Sequence, residues 1–211
     1  DEKPLMMIDP AYTNYISFSE RVGRKTVTNK RKMEDNGKFT LPEVSEIEEM
    51  IQKHNPGALL VIPYDNPTGQ LYDYENMKDL AKLCVKYNMW MVSDEAYREL
   101  YYQEDKPLVS IWGLTDADVP GIEGRRISIE TASKVWNACG LRIGAVITDS
   151  AEFNNRSIAE YTANLCANVI GQYIFAALAH ESKEQIAAWC SALREYYKKQ
   201  IMMVYNGLKE Q

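Results

Sequence analysis

Histidine is nearly absent, with two in 211 residues, so a histidine-based metal centre is close to excluded. The four cysteines, Cys84, Cys139, Cys166 and Cys190, form no CxxC pair. Their scatter through patterns that read as core fits thiols kept reduced in a cytosol. An excess of basic charge is missing too. Lys and Arg number 24 against 30 Asp and Glu, for a formal charge of −6, so no diffuse positive field exists to hold nucleic acid or an anionic membrane. No apolar run is long enough to span a bilayer. The best stretch, Ala163 to Leu178, is broken by Asn164, Asn168, Gly171 and Gln172, well short of roughly 20 continuous apolar residues. No signal peptide is expected, because Leu5-Met6-Met7-Ile8 is too short for its apolar region and suits a buried strand. Repeats and low-complexity tracts are lacking. What remains is a chain with 45% apolar residues, an ordinary content for a globular protein with a buried core.

Residues 20 to 40 are rich in charge and poor in apolar period, and read as a solvated loop. Regular signals begin at Leu41. Val44, Ile47, Met50 and Ile51 recur at helical spacing, and Asn55-Pro56-Gly57 ends that helix. Ala58-Leu59-Leu60-Val61-Ile62-Pro63 is continuously apolar, as a strand covered on both faces would be. A helix from about Tyr74 to Tyr87 follows, then a second buried strand, Met89 to Val92. Strand, helix and strand at this pitch make a βαβ unit. Residues 96 to 124 are loop-rich, Arg126 to Glu130 and Arg142 to Thr148 supply two more strands, and the pattern after Asp149 is almost wholly helical. The expected fold is α/β, a mostly parallel mixed sheet with helices on both faces.

In such a sheet, ligands bind beyond the carboxyl ends of the strands, so the polar residues after each buried run belong together. They are Asp9-Pro10-Ala11-Tyr12, Asn66-Pro67-Thr68-Gly69, Ser93-Asp94-Glu95-Ala96-Tyr97 and Thr131-Ala132-Ser133-Lys134. Asp94 lies 28 residues after Asn66, Tyr97 three after Asp94, and Arg142, in Gly140-Leu141-Arg142-Ile143-Gly144, eight after Lys134. In motifs, order and spacing the chain resembles the class I and II aminotransferases, the fold-type I family that uses pyridoxal 5′-phosphate.

The resemblance implies a role for each matching residue. Lys134 would form a Schiff base with the cofactor aldehyde and later move a proton to and from the substrate. Asp94 would keep the pyridine nitrogen protonated. Asn66 and Tyr97 would donate to the phenolic oxygen, and Tyr12 would stack on the ring. Thr131, Ser133 and Arg142 would hold the phosphate, with Arg142 kept from an ordinary surface role by its apolar neighbours Leu141 and Ile143. Tyr15 stands where many relatives have histidine, which leaves its role open. Glu95, by strand alternation, points to the opposite face.

The resemblance covers the chain from about Leu5 to Gln211 but only about half of a family member. The chain therefore reads as a fragment, with residues 1–185 part of the cofactor-binding large domain and 186–211 a helix leading toward a C-terminal small domain that is missing. The implied activity is transfer of an amino group from an amino acid to a 2-oxo acid, by a cytoplasmic protein that is a homodimer at full length. A β-lyase or decarboxylase of the same fold would share every residue named. The alternative from a different class is an aminotransferase-like ligand-sensing domain of a transcription regulator, which keeps the lysine but loses turnover.

Overall fold

The computed structural model describes residues 2–103 and 105–210. Its centre is a six-stranded sheet built from β1 (Leu5–Asp9), β2 (Thr26–Lys30), β5 (Ala58–Val61), β6 (Trp90–Asp94), β7 (Arg126–Thr131) and β8 (Gly144–Thr148), in the order β2-β1-β5-β6-β7-β8. All neighbours are parallel except β7 and β8. A two-stranded ribbon, β3 (Lys32–Met33) with β4 (Phe39–Thr40), stands apart. The α/β expectation holds.

The strands form where side chains can be buried on both faces. Met6, Met7, Ile8, Leu59, Leu60 and Val61 are all almost fully inaccessible, which is why β1 and β5 read as unbroken apolar runs. Helices α2 (Val44–His54) and α3 (Tyr74–Lys86) cover one face with Ile47, Ile51, Met77, Leu80 and Cys84. Each helix has a defined start: the Glu46 side chain accepts from the Glu43 amide, and Asp73 accepts from the Asn76 amide at 2.8 Å. α2 ends at Asn55, which adopts φ 48° and takes the left-handed turn that asparagine tolerates. On the opposite face lie α1 (Asn14–Arg21) and α4 (Ala151–Thr162), the latter setting Phe153 against Trp90 with ring centroids 5.3 Å apart. α5 (Val169–Ala176) and the long α6 (Lys183–Lys209) complete the described chain. The expected division between residues 185 and 186 falls in the first turn of α6.

Two expectations are corrected. Residues 20–40 are not a solvated loop, because β2 pairs along its whole length with β1, from Leu5 with Thr26 to Asp9 with Lys30, and Arg31 just beyond it is buried. An edge strand is covered less than a central one and carries polar residues, so its pattern is weak. The cysteines also divide. Cys84 and Cys190 are buried, whereas Cys139 and Cys166 are exposed; all four are free thiols.

Candidate active site

Five parallel strands end at one edge of the sheet, and the residues named from the sequence lie there, at the ends of β1, β5, β6 and β7. β8 runs the other way, so its first residue, Gly144, sits opposite Thr131, and Arg142 comes to the same edge from the far side of the 132–143 arch. A side chain at 144 is impossible without movement, since a Cβ there would lie 2.7 Å from the Glu130 carbonyl oxygen.

Asn66, Tyr97, Ser133 and Lys134 line one cavity of about 680 Å³, within the usual size for a small-molecule site. Lys134 is exposed, and its Nζ stands 5.8 Å from the centre of the Tyr97 ring. The Asn66–Pro67 peptide is cis. Ser133 closes a local turn: its amide donates to Thr131 Oγ1 at 3.1 Å, and Thr131 Oγ1 donates to Ser133 Oγ at 2.9 Å.

The other predicted residues do not line that cavity. Thr131 borders a second one beneath α6, of about 620 Å³. Tyr12 is 40% exposed and meets Tyr15 edge to face, with centroids 6.0 Å apart. Arg142 corrects an expectation, for its apolar neighbours do not bury it. It is exposed, holds φ 54°, and donates from Nη1 to the Cys139 carbonyl at 2.9 Å.

Asp94 has the most distinctive surroundings. Its Oδ2 accepts from the Tyr15 hydroxyl at 2.6 Å and its Oδ1 from the Ala96 amide at 3.1 Å. Burial pushes its pKa above the usual carboxylate value, and the Tyr15 hydrogen bond pulls the other way. Burial also holds the Tyr15 hydroxyl protonated well beyond the ordinary tyrosine range, so Tyr15 stays a donor. The residue left open in the sequence thus contacts the ring-partner candidate directly. Glu95 faces away, as strand alternation requires. It is buried and accepts from Ser93 Oγ at 3.1 Å, Ser110 Oγ at 2.7 Å and the Ile111 amide at 2.6 Å, and it also pairs with Arg98.

One network went unread in the sequence. Arg31 Nη2 donates at 2.9 Å both to Asp65 Oδ1 and to the Tyr72 hydroxyl, and Nη1 donates to Gln70 Oε1. The charge run around Arg31 masks it. The available signal was the run of three β-branched residues Thr26, Val27 and Thr28 just upstream, which marks a strand whose end must enter the sheet.

In kind, these groups match a phosphorylated, hydroxylated pyridine aldehyde: an amine for the aldehyde, a half-buried carboxylate for a ring nitrogen, amide and phenol donors for a phenolic oxygen, and hydroxyls with a guanidinium for a phosphate. A parallel α/β sheet with such an edge defines a cofactor-dependent class of protein. The model of the family "Aminotransferase class I and II" matches residues 1–211, and the chain belongs to that family. A Methanocaldococcus jannaschii protein named probable aspartate aminotransferase is 28% identical over 212 residues, covering 98% of this chain and 51% of that protein. A double mutant of Thermus thermophilus aspartate aminotransferase has a TM-score of 0.82 at 20% identity, covering 99% of this chain and 51% of that one. A pyridoxal-phosphate-bound C–S lyase from Staphylococcus hominis has a TM-score of 0.81 at 16% identity, covering 99% and 50%. At such identities the likeness speaks to the fold. The chain spans about half the length of the curated relatives that it matches end to end.

Proposed function

We propose that the intact protein is a pyridoxal-phosphate-dependent aminotransferase that moves an amino group from an amino acid to a 2-oxo acid. The observation that carries this reading is the meeting of Lys134, Tyr97, Asn66 and Ser133 around one cavity at the carboxyl edge of the sheet. When bound, the coenzyme supplies an aldehyde that exchanges amino groups and a cationic ring that accepts electrons from the substrate α-carbon.

The chain's own residues do the rest. The Lys134 amine would hold the coenzyme at its aldehyde and would carry a proton to and from the substrate α-carbon. The Asp94 carboxylate keeps a proton on the ring nitrogen, and the Tyr15 donor holds that carboxylate in place. Asn66 and Tyr97 donate to the phenolic oxygen, and Tyr12 covers the ring face. Thr131, Ser133 and Arg142 hold the phosphate, for which the outward position of Arg142 leaves its guanidinium accessible. In this reading, residues 1–185 belong to the coenzyme-binding large domain and 186–211 lead toward a small domain. The family further supports a homodimer. Among the described residues no helix is long and apolar enough to cross a membrane, which accords with a place in the cytoplasm.

Peptide mapping after borohydride reduction of the coenzyme-loaded protein tests this. The label is expected on Lys134, and Lys134→Ala is expected to keep the fold and lose the label. A label on another lysine overturns the assignment. Mixing the loaded protein with amino acids should convert the coenzyme to its amine form; release of ammonia with retention of the aldehyde form would reassign the chemistry to a lyase.

A further inference from the structure

The turn that carries Asn66 is closed across its base by a single side chain from a different part of the fold. Arg31 lies one residue past the end of β2, the edge strand, and its side chain is 1% exposed. Nη2 bonds Asp65, the residue immediately before Asn66, and Tyr72, beyond the turn; Nη1 bonds Gln70, on the turn's far side. Asp65 passes the hold inward. Its Oδ2 accepts from the Thr68 amide at 3.1 Å and from the Thr68 hydroxyl, and its carbonyl accepts from the Gly69 amide at 3.0 Å. All of the guanidinium's hydrogen bonds run to this turn and its flanks, since the buried Arg31 Nε has no partner among the described residues. A planar fork that spans residues 65, 70 and 72 leaves Asn66 little freedom to swing.

Resting on the coenzyme reading above, we propose that Arg31 is a positioning residue for Asn66, setting the donor that Asn66 presents to the coenzyme's phenolic oxygen. A donor there favours the deprotonated coenzyme imine. Loosening Asn66 therefore raises the pH midpoint of the coenzyme's visible absorbance. The charge of Arg31 contributes as well, and must be separated from its geometry, because Asp65 and Asp94 both carry charge nearby and Asp65 feels Asp94.

The experiment compares the intact, coenzyme-loaded wild type with Arg31→Met and with Arg31→Lys, which keeps the charge and loses the fork, each with Asn66 or with Asn66→Ala. In the Asn66 background both variants are expected to raise the absorbance midpoint by about 0.5–1 pH unit, the worth of one neutral hydrogen bond. In the Asn66→Ala background neither should move it. Hydrogen exchange on the coenzyme-free protein should show faster Thr68 and Gly69 amides in both variants. A merely structural role would leave the midpoint unmoved in the Asn66 background, and that result overturns the proposal. A shift that persists in Asn66→Ala is a through-space charge effect and overturns it also, as do unchanged Thr68 and Gly69 exchange rates. A wild type with no coenzyme absorbance overturns the coenzyme reading and this proposal with it, whereas a normal wild-type signal with an unmoved variant midpoint overturns this proposal alone.

Discussion

Replacing Glu95 with alanine is expected to be among the most damaging single changes near the site, although Glu95 touches no predicted ligand group. Its side chain is fully buried and carries four interactions: the hydroxyls of Ser93 and Ser110, the Ile111 amide and the Arg98 guanidinium. Alanine strands the Ile111 amide without an acceptor and removes one of the arginine's three carboxylate partners. Removing one partner of a buried ion pair costs about 3–5 kcal/mol. Arg98 keeps Glu130 at 2.8 Å and is about a quarter exposed, and the two hydroxyls can turn to other acceptors, so the lower end, about 3 kcal/mol, is expected. With a urea slope near 3 kcal/mol per molar, that is a midpoint lowered by about 1 M. Glu95→Gln keeps the shape and one acceptor but sets an amide donor against other donors, and should cost about 1.5–3 kcal/mol. Ser110→Ala should cost about 1 kcal/mol alone and almost nothing in the Glu95→Ala background. A Glu95→Ala midpoint within about 0.3 M of wild type, or full additivity with Ser110→Ala, would refute the reasoning.

Asp94→Asn is expected to stabilise the coenzyme-free protein at neutral pH while lowering transamination at least about tenfold, or ~1.4 kcal/mol of barrier. Burial raises the folded-state pKa of Asp94, so the folded form binds the proton more tightly and stability falls as pH rises through that pKa. The variant's advantage should therefore be present above the folded pKa and vanish below the ordinary carboxylate range; thermal melts across pH that show a less stable variant at pH 7 contradict this. Tyr15→Phe removes a 2.6 Å charge-assisted bond to Asp94 and should cost about tenfold in rate. It should also raise the Asp94 pKa further, visible as an acid limb of the rate profile displaced upward. An unchanged limb would leave Tyr15 as packing only.

The central strands were legible because burial on both faces forces continuous apolar runs: Leu5 to Ile8 and Ala58 to Val61 leave no other assignment. Position along the edge was legible too, since Asp94 closes a strand and Asn66 and Lys134 follow strands that must end. What the sequence hid depends on long-range pairing. Arg31 is one of several like charges in a row, and nothing local separates it from Lys30 or Lys32, which are exposed. Only the parallel register of β2 on β1 carries it inward, beside an aspartate 34 positions away. Arg142 failed in the opposite direction. Apolar neighbours imply burial in a strand or helix, but Arg142 sits in a left-handed turn at φ 54° and is exposed, while Leu141 and Ile143 are half-buried.

The reversed direction of β8 has a consequence for how this site tolerates length change. Asn66 and Asp94 reach the edge from separate helical crossovers, whose loops at the distant end of the sheet can lengthen without moving either residue. Lys134 and Arg142 share one arch, pinned at its two feet by the pairing of Thr131 with Gly144. One residue inserted between Lys134 and Arg142 changes the span between amine and guanidinium, and one inserted elsewhere between those feet shifts both against the sheet edge; no helical crossover lies between them to absorb it. Deletions and insertions should therefore be accommodated in the loops before β5 and β6 and rejected between 132 and 143, so that the arch acts as a fixed ruler within an otherwise adjustable frame.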